Sequence, residues 1–199
     1  MPRDPTPRSE PEAGLARDHL ATAPWTQRAR RTVYENPWIR VVEDDVELPT
    51  GHRTIYGIVQ CKDAVGMLPF VDDDHVLLVQ QYRYVAGRPT WEMPTGGVAD
   101  GESRLVAAQR ELAEEAGYEA GELVALTTYH TSKSVVDETA HLFEAHALTS
   151  VIGVVPDETE LIRRSVFAFD DVVRMVVSGE ITDSMTVIGV LLAARRRGG

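Results

Sequence analysis

The sequence predicts an α+β fold, a mixed β-sheet with helices packed on it. Three observations carry this expectation. Short runs rich in β-branched and aromatic residues, separated by turn residues, dominate positions 38–83. A glycine-bearing loop near residue 96 then leads straight into an amphipathic helix. Two further helical stretches close the chain, at 169–178 and 183–197. No internal repeat and no Walker-type phosphate loop is evident.

Residues 1 to about 30 carry Pro2, Pro5, Pro7, Pro11 and Pro24 among scattered charge and show no sustained period. They are expected to form a flexible arm with at most a helical turn near Glu12–Leu20, ahead of one domain over 31–199. Trp38–Leu48 (WIRVVEDDVEL) and Thr54–Cys61 (TIYGIVQC) flank the turn Pro49-Thr50-Gly51, which predicts a hairpin. Ala64–Phe70 and His75–Arg83 (HVLLVQQYR) flank Asp72-Asp73-Asp74, which predicts a second. Those aspartates lack the alternation and the closing glutamate of a calcium loop, so they read as a solvated turn. A short strand at Trp91–Met93 leads into the glycine loop. From Ser103 to Ala116 the residues Leu105, Ala108, Leu112 and Ala116 recur every three to four positions, the stripe of a helix. Ser103 is its expected N-cap and Gly117 its left-handed C-terminal cap. Leu123–His130 and Thr139–Ala147 read as strands around the polar loop Thr131–Glu138. The last two helices are broken at Gly179-Glu180, and Arg195-Arg196-Arg197 complement the dipole of the second.

Composition narrows the function classes. The 199 residues, 43% apolar and 26% charged, are those of a globular chain with one well-buried core. A net charge of −11 argues against broad binding to nucleic acid or to anionic lipid. No apolar run approaches a membrane span and the N-terminus lacks a signal-peptide core, so the expected compartment is the cytoplasm. Cys61 is the single cysteine. It excludes an internal disulfide and a cysteine-rich zinc site, and reads as a small buried hydrophobe. His130, His141 and His146 fall at no metal-ligand spacing.

The helix after the glycine loop holds the chemistry. At about 100° per residue, Glu111 and Glu115 lie on one face, with Glu114 beside them. Three like charges so placed repel, and a divalent cation would remove the penalty. Carboxylate oxygens suit Mg²⁺ or Mn²⁺, and Mg²⁺ commonly uses one or two carboxylates, several waters and substrate phosphates. A solvated acidic helix face is the alternative for any glutamate run taken alone. Arg110 has two readings: a clamp pairing with Glu102 to hold the loop against the helix, or an ordinary surface ion pair.

Residues 96–118 (GGVADGESRLVAAQRELAEEAGY) match the Nudix box in every fixed letter: Gly96, Glu102, Arg110-Glu111-Leu112, Glu114-Glu115 and Gly117, followed by a bulky apolar residue. With Gln81-Tyr82-Arg83, Trp91-Glu92-Met93-Pro94-Thr95, Asp137-Glu138, and Gly179–Asp183 with Thr186, the chain resembles the ADP-ribose pyrophosphatase branch of the Nudix hydrolases over roughly 40–195. The resemblance implies an α/β/α sandwich and hydrolysis of a nucleoside diphosphate sugar at its pyrophosphate. It implies that Mg²⁺, or Mn²⁺ in its place, is held by Glu111, Glu115, Glu114 and the backbone carbonyl of Thr95. Glu138 matches the family's general base, against the alternative of a loop carboxylate in water. Arg83 matches a substrate-contacting arginine, and Glu92 contacts the nucleotide or a partner subunit. Arg53 is a further candidate, reaching the partner's site, because members of this branch form homodimers through N-terminal strands, here about 33–62.

The chain departs from the branch at Lys133, Ser134 and Val135, where proline, glycine and an aromatic residue are common, and at Thr95, where alanine is frequent. These changes leave pyrophosphate hydrolysis intact and bear on the choice of sugar nucleotide. The competing expectations are a nucleoside triphosphate or dinucleoside polyphosphate hydrolase, and a non-catalytic nucleotide-sensing Nudix domain.

Overall fold

The computed structural model describes residues 22–151 and 161–198. The chain divides into two compact units, Met1–Gln60 and Cys61–Gly199, where the sequence predicts one domain from residue 31.

In the first unit, strands β1 (Thr26–Glu35), β2 (Arg40–Glu47) and β3 (Arg53–Gln60) form an antiparallel meander. The expected hairpin at Pro49-Thr50-Gly51 is present as β2–β3, with Gly51 at φ +83°. Strand β1 is not foreseen, and it takes in Thr26–Arg30 of the expected arm; residues 1–21 lie outside the described residues. It is held by its antiparallel backbone ladder to β2, with charge pairs laid over it. Every residue of β1 is exposed, so it has no apolar period to read. It is tied to β2 by Arg28–Glu47, Arg30–Asp44 and Arg31–Glu43 ion pairs. Asp44 sits among the buried positions of β2, beside Val42 and Val46. The Arg30 guanidinium, bonded at 2.7 and 2.8 Å, holds its carboxyl below the usual range.

The second unit is built on two sheets. One has the order β7 (Thr95–Gly97), β4 (Ala64–Pro69), β10 (Thr139–Ser150), β8 (Tyr118–His130); the other has β11 (Arg163–Ala168), β5 (His75–Arg83), β6 (Arg88–Glu92). Between β8 and β10, the loop carries the short strand β9 (Val136–Asp137). Helix α1 (Arg104–Glu111) and the π-helical turn Leu112–Ala116 cover one side, and α2 (Phe169–Ser178) and α3 (Ser184–Arg197) the other. Side chains of the central strands alternate between the two layers. Val65 and Met67 of β4, with Leu77 and Val79 of β5, pack with Ala107, Ala108, Leu112 and Ala116. Leu68, Val76 and Leu78 pack with Val172, Val176 and Val190. Coverage on both faces explains why β4 is buried along its whole length and reads as an apolar run without alternation. The result is the α/β/α sandwich.

Two expectations are corrected. β4 and β5 are not a hairpin: β4 runs parallel to β10, β5 pairs with β6 and β11, and the two meet only at a Phe70–Val76 bridge. The turn between them is the solvated one expected, with Asp72 Oδ1 accepting from the amides of Asp74 and His75. The helix over 103–116 is not uniform either. Ser103 caps it through the Val106 amide and Gly117 ends it at φ +78°, both as expected, but its last five residues widen into the π turn. Leu105, placed on the buried stripe by spacing, is 53% exposed. Gln109 pins the start of β8 by exchanging two hydrogen bonds with the backbone of Ala120 (2.6 and 3.0 Å), which begins that strand five residues before Leu123.

Gly117 combines a left-handed backbone with a crowded flank, since a Cβ there would lie 2.9 Å from Arg164 Nη1. Gly117→Ala is expected to lower stability by about 1–2 kcal/mol, the cost of an L side chain in that region, measured by urea unfolding. Gly117→Asn should cost less.

Candidate active site

The π turn places the acidic residues against the strand that precedes the helix. β7 lies antiparallel to β4, with Thr95 opposite Gly66 and Gly96 opposite Val65. The Thr95 amide donates to Glu115 Oε2 at 2.7 Å, and Glu115 is almost wholly buried. One residue on, the Glu111 carboxylate lies over the Cα of Gly96, where any Cβ would overlap it. Two carboxylates one helical turn apart therefore bear on adjacent residues, Glu115 on the Thr95 amide and Glu111 on the Gly96 Cα. Single-turn π segments recur at functional sites, and here the segment carries Glu114 and Glu115. Arg164 of β11 holds this turn from outside: its Nε and Nη2 donate to the carbonyls of Glu115 (2.5 Å) and Glu114 (3.0 Å). No motif points to Arg164, which lies 49 residues from Glu115 in sequence.

Arg110 ties the loop to the helix, the clamp reading of its role. It donates through Nε and Nη2 to both oxygens of Glu102 (3.0 Å each), and through Nη2 to the Gly97 carbonyl (2.9 Å). Nη1 reaches Glu111 (2.6 Å) and Glu114 (3.2 Å). Arg110 and the Ala99 amide together hold the Glu102 carboxyl down to about 2.

Beside Thr95 opens a cleft of about 400 Å³. Arg83, Thr90 and Glu92 form its polar side, Val85, Ala86 and Met185 its apolar side, and Thr182 and Asp183 its rim. Arg83 and Glu92 are clasped together, with Nε to Oε1 at 2.9 Å and Nη2 to Oε2 at 2.8 Å, and Thr90 Oγ1 adds a bond to Oε1 at 3.0 Å. Burial works against the charge on Arg83. Glu92, helped by Glu115 and Asp183, more than restores it, and the group is held above its usual range. Asp183 caps α3 through the Thr186 amide (2.8 Å), and the Thr186 hydroxyl in turn accepts from the amide of Met93 (2.9 Å). This fixes the Trp91–Pro94 segment that delivers Thr95. Glu138 is half-buried. Burial raises the phenol of Tyr129, whose hydroxyl has no hydrogen-bond partner among the described residues, and the charges of Asp183 and Glu138 raise it further. The Glu138 carbonyl accepts from the Thr131 amide at 3.3 Å, which closes the loop between β8 and β10.

The structure therefore gathers Thr95, Arg110, Glu111, Glu114 and Glu115, and sets Arg83 and Glu92 in the adjoining cleft. Arg53 belongs to the first unit, where it pairs with Asp45. A roomier hollow of about 610 Å³, lined by Asp74, Phe169, Asp170 and Arg197, contains none of the motif residues.

Among the described residues, no three His, Cys, Asp or Glu side chains stand ready as a cage for one ion. The donors that do converge are all oxygens, on adjacent turns around Thr95 and Gly96. That suits a hard divalent cation which keeps most of its waters. No described helix is long and apolar enough to cross a membrane.

A glycine-loop helix with this acidic face, packed on a mixed sheet in an α/β/α sandwich, defines a pyrophosphohydrolase site, and the chain belongs to the Nudix family, whose domain description matches residues 62–182. Its residues 25–59 match the nucleoside diphosphate sugar hydrolase N-terminal domain. It is 31% identical over 163 residues to the ADP-ribose pyrophosphatase of Bacillus subtilis (strain 168), covering 81% of this chain and 88% of that protein. It is 32% identical over 161 residues to the methanol dehydrogenase activator of Bacillus methanolicus, covering 79% and 86%. The fold is that of a crystal structure described as an ADP compounds hydrolase, with a TM-score of 0.78 at 23% identity, covering 88% of this chain and 95% of that one.

Two outcomes are expected. Gly96→Ala displaces the Glu111 carboxylate and should lower kcat/KM by about 100-fold or more, measured beside circular dichroism to confirm folding. Glu102 is depressed from its ordinary 4.5 to about 2, so its pairing stabilises the fold fully above pH 4.5. That contribution is lost as pH falls from there through about 2. Urea midpoints of wild type and Glu102→Gln should differ at pH 6 and converge toward pH 2.

Proposed function

We propose that the protein hydrolyses the pyrophosphate bond of a nucleoside diphosphate sugar, with ADP-ribose the first candidate. The products are a nucleoside monophosphate and a sugar phosphate. The observation that carries this reading is the convergence of Glu111 and Glu115 on the adjacent residues Gly96 and Thr95, beside a cleft that holds Arg83.

Glu111, Glu115 and Glu114, with the Thr95 carbonyl, would hold Mg²⁺, or Mn²⁺ in its place. When bound, the ion supplies charge neutralisation at the diphosphate and acidifies a water. Arg83 contributes a planar donor fork for a phosphate or ribose oxygen, and Glu92 orients that fork. Arg110 keeps Glu111 and Glu114 aimed by holding loop and helix together. Glu138 takes a proton from the water as its oxygen attacks phosphorus and the bridging P–O bond breaks. A second copy of the chain fits the first unit, where Val33, Tyr34, Trp38 and Ile55 are half exposed or more. Arg53 is the residue of that unit offered to the partner's cleft.

The test is phosphate-monoester release from nucleoside diphosphate sugars, nucleoside triphosphates and dinucleoside polyphosphates, each with Mg²⁺, Mn²⁺ or chelator. Metal-dependent release from a sugar nucleotide is expected. Turnover confined to the other two classes would overturn the substrate class, and nucleotide binding without turnover would mark a sensing domain. Glu138→Gln should lower kcat by about 10² with KM little changed. A change in KM alone would make Glu138 a binding residue instead.

A further inference from the structure

Gln81 is 9% exposed, and its side-chain Nε2 is buried without a hydrogen-bond partner. Buried amide donors are nearly always satisfied, so this one needs a reason. Its surroundings supply one. On β5 and β6 the register sets Val79 opposite Glu92, Gln81 opposite Thr90, and Arg83 opposite Arg88. Residues directly opposite share a face, so Gln81, Arg83, Thr90 and Glu92 project to the same side. Arg83 and Glu92 stand four residues apart along that face, about 13 Å. They can meet only by leaning toward each other over the Gln81–Thr90 row. The Thr90 hydroxyl, 3.0 Å from Glu92 Oε1, marks where the carboxylate comes to rest. The unpartnered amide therefore belongs to the side chain directly across from the one already bonded to Glu92.

Two further facts bear on the pair. Only Nε and Nη2 of Arg83 engage Glu92, and its side chain is 41% exposed in the cleft, whereas that of Glu92 is 4% exposed. Arg83 can move; Glu92 cannot escape to water. An arginine drawn off to a diphosphate would leave a buried carboxylate with the Thr90 hydroxyl alone, which is costly.

We infer that Gln81 is a positioning residue: its amide takes over Glu92 when Arg83 swings to the substrate diphosphate. The spare donor lowers the cost of releasing Arg83 and so strengthens substrate binding without touching the reacting atoms. This rests on the assignment of Arg83 to the substrate made above.

The test is a double-mutant cycle read as the Kd of the α,β-methylene analogue of ADP-ribose, by calorimetry with Mg²⁺ present. Gln81→Leu should weaken binding about tenfold when Arg83 is present, and no more than about twofold in the Arg83→Ala background. Its kcat for ADP-ribose should stay within about threefold of wild type, because Gln81 acts through Arg83 alone. Gln81→Met, closer in length, replaces the leucine variant if that fails to fold. Unchanged binding in Gln81→Leu, or equal weakening in both backgrounds, would overturn the inference. Turnover of ADP-ribose by wild type with an unaffected Gln81→Leu would sink the inference and leave the proposed function standing. A coupled cycle in a protein that turns over no sugar nucleotide would do the reverse, and absence of analogue binding by wild type would overturn the inference and remove ADP-ribose as the first candidate.

Discussion

Four glutamates crowd one end of this molecule, and the Arg110 guanidinium is what allows them to face inward together. Glu102 and Glu111 side chains are each 13% exposed and that of Glu114 is 36% exposed, so their mutual repulsion is poorly screened. Arg110 is itself 35% exposed, so solvent screens its ion pairs and their contribution to stability is modest. Its value is geometric. A planar fork with donors in three directions meets the loop carboxylate, the loop carbonyl of Gly97 and two helix carboxylates at once. A lysine, with one compact charge on a flexible stem, could not hold loop and helix at a set distance. Everything that depends on Thr95 and Gly96 sitting under the helix depends on this clasp.

The site holds two buried carboxylates in place by different means. Glu115 accepts from a backbone amide, which cannot move away, and the carbonyls around it are held by Arg164. That carboxylate is fixed relative to the sheet. Glu92 is bonded to a side chain that is itself partly in water, with a second donor at Thr90. Its partner can be exchanged. Under the proposed assignment, a fixed acid for the metal and an exchangeable pair for the substrate is a sensible division, since a metal must find preset ligands whereas a substrate must displace something.

Much of this arrangement is legible in the amino-acid order because it is local. Ser103, Gly117 and the spacing of Glu111, Glu114 and Glu115 act within one or two helical turns, and the helix forms where they place it. What escapes is whatever depends on partners far along the chain. Strand β1 has no apolar period and is held by its backbone ladder and charge pairs to β2, so composition makes it look like part of the arm. β4 and β5 read as a hairpin because they are neighbours in sequence, but β4 is apolar on both faces and takes the interior place beside β10. Leu105 falls on the helical stripe by spacing, yet lies exposed, because the packed face is set by Ala107, Ala108 and Leu112. The π turn adds a backbone step that residue spacing does not encode. Arg164 and Gln81 act through contacts across the fold that carry no signature of their own.

The loop before Glu138 is where this chain departs from its branch in sequence. Proline and glycine would shape that turn through their backbones alone. Here Ser132 Oγ accepts from the Ser134 and Val135 amides (3.4 and 3.1 Å), a side-chain turn that bends the backbone by hydrogen bonding instead. The Thr131 amide then closes on the Glu138 carbonyl at 3.3 Å, bringing the two ends of the loop together. The loop that leads to Glu138 is thereby shaped by side-chain hydrogen bonds. What changes is the outer face: Lys133 is exposed where an uncharged proline is common. A cation there adds attraction for an anionic substrate in a molecule whose net charge is −11, without altering the acidic helix. Charge on this loop can therefore vary without any change to Glu111, Glu114 or Glu115.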